Sequence, residues 1–183
     1  MRGARKQRRK RYGRYDSRGR VAGKRSITTH PLIVAARTQL GHWEGDTVLE
    51  SQAGPCVLSL VERKTGYLVV GKLQHRSTAE VNQRAQQLID AQPHPVRTVT
   101  VDNGTEFHDY AALERATATR FYFATPHHAW ERGTNENTNG LLRHKGQSMT
   151  HLTQADCNRI ALKLNRRPRK RLGYRTPEEC YVP

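Results

Sequence analysis

Three acidic residues have the type and placement to do chemistry together: Asp46, Asp102 and Glu136. Asp46 lies at the first of several β-rich runs. Asp102 closes another, just before an Asn103-Gly104 turn, and Glu136 falls in the first turn of a helical stretch after Arg132-Gly133-Thr134. Three carboxylates converging on one point repel each other unless cations neutralise them. Hard oxygen ligands with room for water and phosphate suit Mg²⁺ or Mn²⁺. Two such ions, about 3.5–4 Å apart, activate an attacking oxygen and stabilise a leaving one in an in-line phosphoryl displacement. The chemistry in prospect is therefore phosphodiester cleavage or transfer. With 16 Asp and Glu in the chain, other acids compete for such a role. Of these, Glu44 reads as a partner for an arginine, Glu106 as an exposed loop residue, and Glu62 remains a rival.

Positioning these acids requires a particular order of elements. Thr47–Glu50, Cys56–Arg63 and Tyr67–Gln74 are short β-rich runs separated by turn signals at Gly54-Pro55 and Lys64-Thr65-Gly66. They predict an antiparallel meander. The period then becomes helical over Thr78–Ala91, with Val81, Ala85, Leu88 and Ile89 on one face and Ser77 or Thr78 as N-cap. A strand at Val96–Val101, a helix at Tyr110–Ala118, a strand at Arg120–Ala124 and a helix at Asn135–Arg143 follow. Thr153-x-x-Asp156 then opens a longer helix as a capping box, with Cys157, Ile160, Ala161 and Leu164 on one face. Ser26–Leu40 shows no clear element, and Pro126–Gly133 reads as a loop. The order βββ-α-β-α-β-α-α is α/β: three antiparallel strands, then helix-linked parallel strands in a mixed sheet with flanking helices. A helical crossover returns the fourth strand beside the first, which brings Asp46 and Asp102 to neighbouring strands.

Charge narrows the partners. The formal net charge is +16, and 12 of the 32 Lys and Arg fall within residues 1–25, where Asp16 is the only acid. A segment so basic and so poor in apolar residues cannot bury enough surface to fold alone, and it reads as a disordered arm that contacts DNA. Residues 26–40 read as a linker, and 41–183 as a catalytic core ending in a basic helix. The arm has no Trp, Phe or Leu with which to anchor in a membrane. No apolar run is long enough to span a bilayer, and no signal peptide is visible. Cys56, Cys157 and Cys180 lack paired spacing, which argues against a disulfide framework and for a reducing cytosol. His127 and His128 are followed by no Cys or His at zinc spacing.

The segments around the acids resemble the insertion-sequence family 30 transposases, within the DDE transposase and integrase superfamily. Gly41-His42-Trp43-Glu44-Gly45-Asp46-Thr47-Val48 is similar to the family's segment around its first catalytic acid, and Val101-Asp102-Asn103-Gly104-Thr105-Glu106-Phe107 to the second. The stretch from Trp130 through Glu136 to Arg143 is similar to the third, and Leu164–Pro177 to the C-terminal signature. The 33 residues between Asp102 and Glu136 match the family's spacing. The resemblance implies a ribonuclease H-like fold, two divalent ions, Mg²⁺ or Mn²⁺, held by Asp46, Asp102 and Glu136, and cutting and rejoining of DNA at transposon ends. It also implies assembly of several copies on DNA in a bacterial cytoplasm, at the nucleoid.

Cationic residues are the natural phosphate contacts. Arg143 follows Glu136 by seven residues, two helical turns, so both fall on one side of the helix. Lys145, the arm residues Arg8, Arg9, Lys10 and Arg11, and the run Arg166, Arg167, Arg169, Lys170 and Arg171 complete the expected DNA contacts. Asn137 and Asn139 either line the DNA path or cap turns, and Trp130 either stacks on a base or fills the core. Two departures from the family stand out. No helix-turn-helix region precedes Arg8, and the segment after Arg143 is short. An N-terminally truncated copy is expected. The alternative is an inactive DNA-binding fragment that modulates a full-length transposase; a basic structural nucleic-acid protein would gain nothing from clustered carboxylates.

Overall fold

The computed structural model describes residues 23–49, 56–126, 128–142 and 151–183. In chain order its elements are helix α1 (Leu32–Ala36), strands β1 (His42–Leu49), β2 (Cys56–Glu62) and β3 (Leu68–Leu73), and helix α2 (Thr78–Asp90). Strand β4 (Thr98–Val101), helix α3 (Tyr110–Thr117) and strand β5 (Arg120–Phe123) follow, then helices α4 (Gly133–Leu142), α5 (Gln154–Asn165) and α6 (Pro177–Tyr181). The five strands form one sheet in the order β3-β2-β1-β4-β5. Pairing is antiparallel across β3, β2 and β1 and parallel from β1 to β4 to β5. The mixed sheet expected from the sequence is the one observed, with β4 beside β1.

Every residue of β2 is buried because helices cover both faces of the sheet. Its alternation sorts them: Cys56, Leu58 and Leu60 pack with Val81, Ala85 and Ile89 of α2 and Leu113 of α3. Val57 and Val61 face the other way, toward Leu142 of α4 and Cys157 and Ala161 of α5. Ser77 caps α2 by accepting from the Glu80 amide, and the capping box predicted at Thr153 and Asp156 is present on α5.

Both sheet edges are occupied. On β3, the Asn165 side chain accepts from the Leu68 amide and donates to the Leu68 carbonyl, both at 2.8 Å. Gln154 accepts from the Lys72 amide at 2.8 Å and donates to the Val70 carbonyl at 2.9 Å. Side-chain amides on α5 thus satisfy backbone groups that an open edge would offer to another chain. On β5, the Phe123 amide donates to the Arg25 carbonyl, and Ser26 makes a parallel bridge to Phe123.

The observed elements depart from the expected ones in three places. β1 begins at His42, five residues before the predicted start. Glu44, Gly45 and Asp46 are poor strand formers, but here all three pair with β2, and Glu44 pairs with β4 as well. A Cβ on Gly45 would lie 3.1 Å from both Leu60 and Val101, so only glycine lets the neighbouring side chains close over this strand. Residues 26–40, expected to lack structure, form a 3-10 turn at Ile27–Thr29 and helix α1, whose Val34 is buried. The expected loop before α4 contains a 3-10 turn at Ala129–Arg132 that runs straight into the helix. No helix of the described residues is long and apolar enough to cross a membrane.

Candidate active site

Asp46 sits on β1 and Asp102 immediately follows β4, on adjacent parallel strands. One guanidinium lies between them. Arg132 places Nη1 3.5 Å from Asp46 Oδ1 and Nη2 3.6 Å from Asp102 Oδ2. The same Nη1 donates to the Gly45 carbonyl at 3.2 Å. The 3-10 turn preceding α4 holds Arg132 in this position.

Each aspartate has a second anchor. Asn139 of α4 donates to Asp46 Oδ2 at 2.8 Å, and the Gly104 amide donates to Asp102 Oδ1 at 2.9 Å. Burial raises the Asp46 carboxyl above its ordinary pKa; Arg132 opposes that rise and Asp102 adds to it. Next to Asp102, Asn103 donates to the Ala124 carbonyl at 2.7 Å and accepts from Lys24. Ser59 of β2 places its hydroxyl within reach of the Asp46 carbonyl, Asn135 Oδ1 and Asn139 Oδ1, at 3.3, 3.2 and 3.0 Å. One proton serves three acceptors, and the contact ties α4 to the sheet under Asp46.

The rival acids have other duties. Glu44 is fully buried; it accepts from the Asn135 amide at 2.8 Å and lies 3.3 Å from Arg63, the arginine pairing expected of it. Glu62, also fully buried, accepts from the Thr65 amide and hydroxyl at 2.6 and 2.7 Å and closes the β2–β3 turn. Glu106 corrects its expectation. Far from an exposed loop residue, it is 3% exposed, because the 3-10 turn Thr105–Phe107 folds it under β1, where it accepts from the Thr47 hydroxyl at 2.6 Å. Arg76 lies 3.8 Å from that oxygen, and the other Glu106 oxygen is buried with no hydrogen-bond partner among the described residues.

Glu136 is a residue of α4, one position after Asn135 and three before Asn139. Asn137 is exposed on the same helix. Together with Arg37 of the α1 end, Gly66, Arg169, Lys170 and Arg171, it lines a groove of about 340 Å³. Arg167 is exposed, and Arg166 donates to Glu178 at 2.8 Å. Arg143, Lys145, Arg8, Arg9, Lys10 and Arg11 lie outside the described residues. Sequence reasoning missed Arg132 as a bridge between the aspartates, Ser59 and Asn135 as supports, and Arg37 as a groove cation. For Arg132 a signal existed, since it precedes Glu136 by four residues, one helical turn. A lone serine on a buried strand carries none.

The chain is similar to known proteins in sequence and in fold. The chain is 35% identical over 175 residues to the transposase for insertion sequence element IS4351 from Bacteroides fragilis, covering 94% of this chain and 54% of that protein. It is 37% identical over 147 residues to transposase InsI for insertion sequence element IS30A from Escherichia coli K12, covering 78% and 38%. It is also 37% identical over 166 residues to the transposase for insertion sequence element IS1086 from Cupriavidus metallidurans, covering 88% and 49%. The chain belongs to the insertion-sequence transposase family that includes IS30. It spans about half the length, or less, of these relatives. No family model matches it.

Solved structures place this family member's fold. The catalytic core domain of BIV integrase superposes with a TM-score of 0.60 at 19% identity, over 78% of this chain and 93% of that one. A chain of the simian T-cell lymphotropic virus intasome in complex with PP2A regulatory subunit B56 gamma gives 0.64 at 14% identity, over 78% and 54%. The transposase-family chain therefore has the ribonuclease H-like fold of integrase catalytic cores, with flanking helices on both faces of the mixed sheet.

Proposed function

We propose that this chain catalyses metal-dependent DNA strand cleavage and strand transfer, with Asp46, Asp102 and Glu136 as the catalytic carboxylates. The observation that carries the reading is the guanidinium of Arg132 between Asp46 and Asp102. Two carboxylates from adjacent strands converge where a cation is needed, and both keep access to solvent, with side chains 22% and 40% exposed. Among the described residues no three His, Cys, Asp or Glu side chains form a metal-binding cluster, and Glu136 is the proposed third member. Helical spacing supports it: position 136 precedes position 139 by three on α4, and residue 139 contacts Asp46.

Oxygen donors of this kind fit Mg²⁺ or Mn²⁺, and two ions so held supply Lewis-acid stabilisation of the attacking and leaving oxygens. The chain's own residues do the positioning. Asn139 orients Asp46, the Gly104 amide orients Asp102, and Ser59 with Asn135 fixes α4 over the sheet. Arg132 offsets the charge of the two aspartates.

DNA is the proposed partner, with several copies of the chain assembled on it and Asn137, Arg143, Lys145 and the Arg166–Arg171 run as contacts. The basic residues Arg8, Arg9, Lys10 and Arg11 are further proposed contacts, and the Lys24 contact to Asn103, the residue after Asp102, supports a cationic surface beside the aspartates. Residues 41–183 are the proposed catalytic core, and the bacterial relatives support a place in the cytoplasm. The test is Mn²⁺-dependent cleavage of a labelled duplex by wild type and Asp102→Asn, with DNA binding followed in parallel. Loss of cleavage with binding retained is expected. Cleavage that survives the substitution would overturn the assignment.

A further inference from the structure

The groove beside α4 is built from four cations that approach it from two separate parts of the chain. Arg37 comes from the end of α1, and Arg169, Lys170 and Arg171 from the segment after α5; Gly66, in the β2–β3 turn, forms its floor. Among the described residues no acidic side chain lines it. Arg171 is held in place, with Nη1 donating to the Lys64 carbonyl at 2.7 Å. Its guanidinium lies over Gly66, where a Cβ would come within 2.4 Å of Nη2. Gly66 also has φ +76°, so both its backbone and the space above it call for glycine. Burial, then the charges of Arg37 and Arg169, push Arg171 below the usual arginine range; Glu62 opposes this. Like charges gathered in a partly desolvated groove are unfavourable until an anion enters.

The wall on the helix side is polar. Thr134 and Asn137 of α4 border the groove, and the Thr134 hydroxyl is buried without a hydrogen-bond partner among the described residues. A free hydroxyl and an exposed amide add donors to the four cations. On the helix, residues 133, 134, 137 and 138 form one flank, and residues 135 and 139, which touch Ser59 and Asp46, belong to the next. An α-helix is about 10–12 Å across. The groove and the aspartates are thus two sides of one helix.

Resting on the proposed DNA-cutting reading, we infer that this groove holds the phosphodiester backbone of a single DNA strand as it passes around α4 from the aspartates. Arg37 and Lys170 supply exposed charge, Arg171 a fixed guanidinium fork, and Thr134 a neutral donor. These contacts carry no base information, so they hold any sequence equally.

Fluorescence anisotropy with a labelled duplex of arbitrary sequence, over a salt series, tests this. Arg37→Gln and Lys170→Gln should each weaken binding by about three- to tenfold and lower the slope of log affinity against log salt by about 1. Gly66→Ala, which displaces Arg171 without removing a charge, should weaken binding as well. Arg115→Gln and Arg120→Gln remove equally exposed cations on α3 and β5 and should leave both readouts at the wild-type value. Equal losses from the two pairs would overturn the groove in favour of net charge alone. Wild-type binding by the groove variants, with cleavage abolished by Asp102→Asn, would overturn the groove and leave the catalytic reading standing. A wild-type chain that binds no DNA would overturn both.

Discussion

Glu44 and Asp46 lie two residues apart on β1, on the same face of the sheet and beneath the same helix, yet they meet opposite fates. Glu44 is sealed, with its carboxylate held by the Asn135 amide and Arg63 and no exposure to solvent. Asp46 keeps a fifth of its side chain exposed and faces Asn139 and the guanidinium of Arg132. The partners explain the difference. Arg63 is itself buried and belongs to the core, whereas Arg132 comes from a turn at the start of α4 and is shared with Asp102. A carboxylate whose countercharge is buried serves the fold. One whose countercharge is shared at an open edge remains available for chemistry.

The sharpest way to break this comparison is to neutralise each acid. Glu44→Gln should cost about 3–5 kcal/mol in urea unfolding, because it leaves Arg63 buried without its charge partner. A loss below 1 kcal/mol would mean that Glu44 is not the structural member of the pair. Asp46→Asn should shift stability by less than about 1 kcal/mol, because the group is partly solvated. It should lower Mn²⁺-dependent cleavage by about a hundredfold or more. An active Asp46→Asn protein would remove the distinction.

Gly104 sharpens the comparison on the other strand. A Cβ there would sit 2.4 Å from Glu106 Oε2 and 2.9 Å from Asp102 Oδ1. Gly104→Ala should therefore cost about 1–3 kcal/mol of stability through steric strain. It should also weaken Mn²⁺ binding measured by calorimetry, since Asp102 must move. Unchanged binding would show that the turn is more pliant than its contacts imply.

The smallest effect expected is with pH. His30 is held down to about 4 by burial, then by Arg63 and His42; its Nε2 lies 3.2 Å from the Thr100 hydroxyl. The folded protein thus keeps His30 neutral where the unfolded chain, near 6.5, takes up a proton. Its contribution to stability is complete above pH 6.5 and is lost as the pH falls toward 4. Burial, then Arg97 and Arg63, lower His42 in the same direction. Thermal unfolding of His30→Gln should show a shallower acid slope than wild type over that window; an identical slope would exclude His30 as a contributor.

Much of this was legible from residue order. The return of β4 beside β1, through the helix that links β3 to β4, follows from the meander, the helical period of α2 and the next apolar run, and it brings Asp46 and Asp102 to neighbouring strands. The start of β1 was not legible, because Glu44, Gly45 and Asp46 disfavour strands and adopt one here through pairing with β2 and, at Glu44, with β4. The burial of Glu106 was not legible either, because it depends on a distant donor, the Thr47 hydroxyl, 59 positions away.

The amino-acid sequence by itself determined the fold class, the basic character of the chain, the family and the neighbouring strands of the two aspartates. These depend on periodicity, composition and motif, which are local or additive properties. Only the tertiary structure decided which carboxylates are sealed and which stay open, that Arg132 bridges Asp46 and Asp102, and that the Arg171 guanidinium lies over Gly66. Each is a contact between residues far apart in the chain, and the geometry of packing, rather than the residue types, selects it.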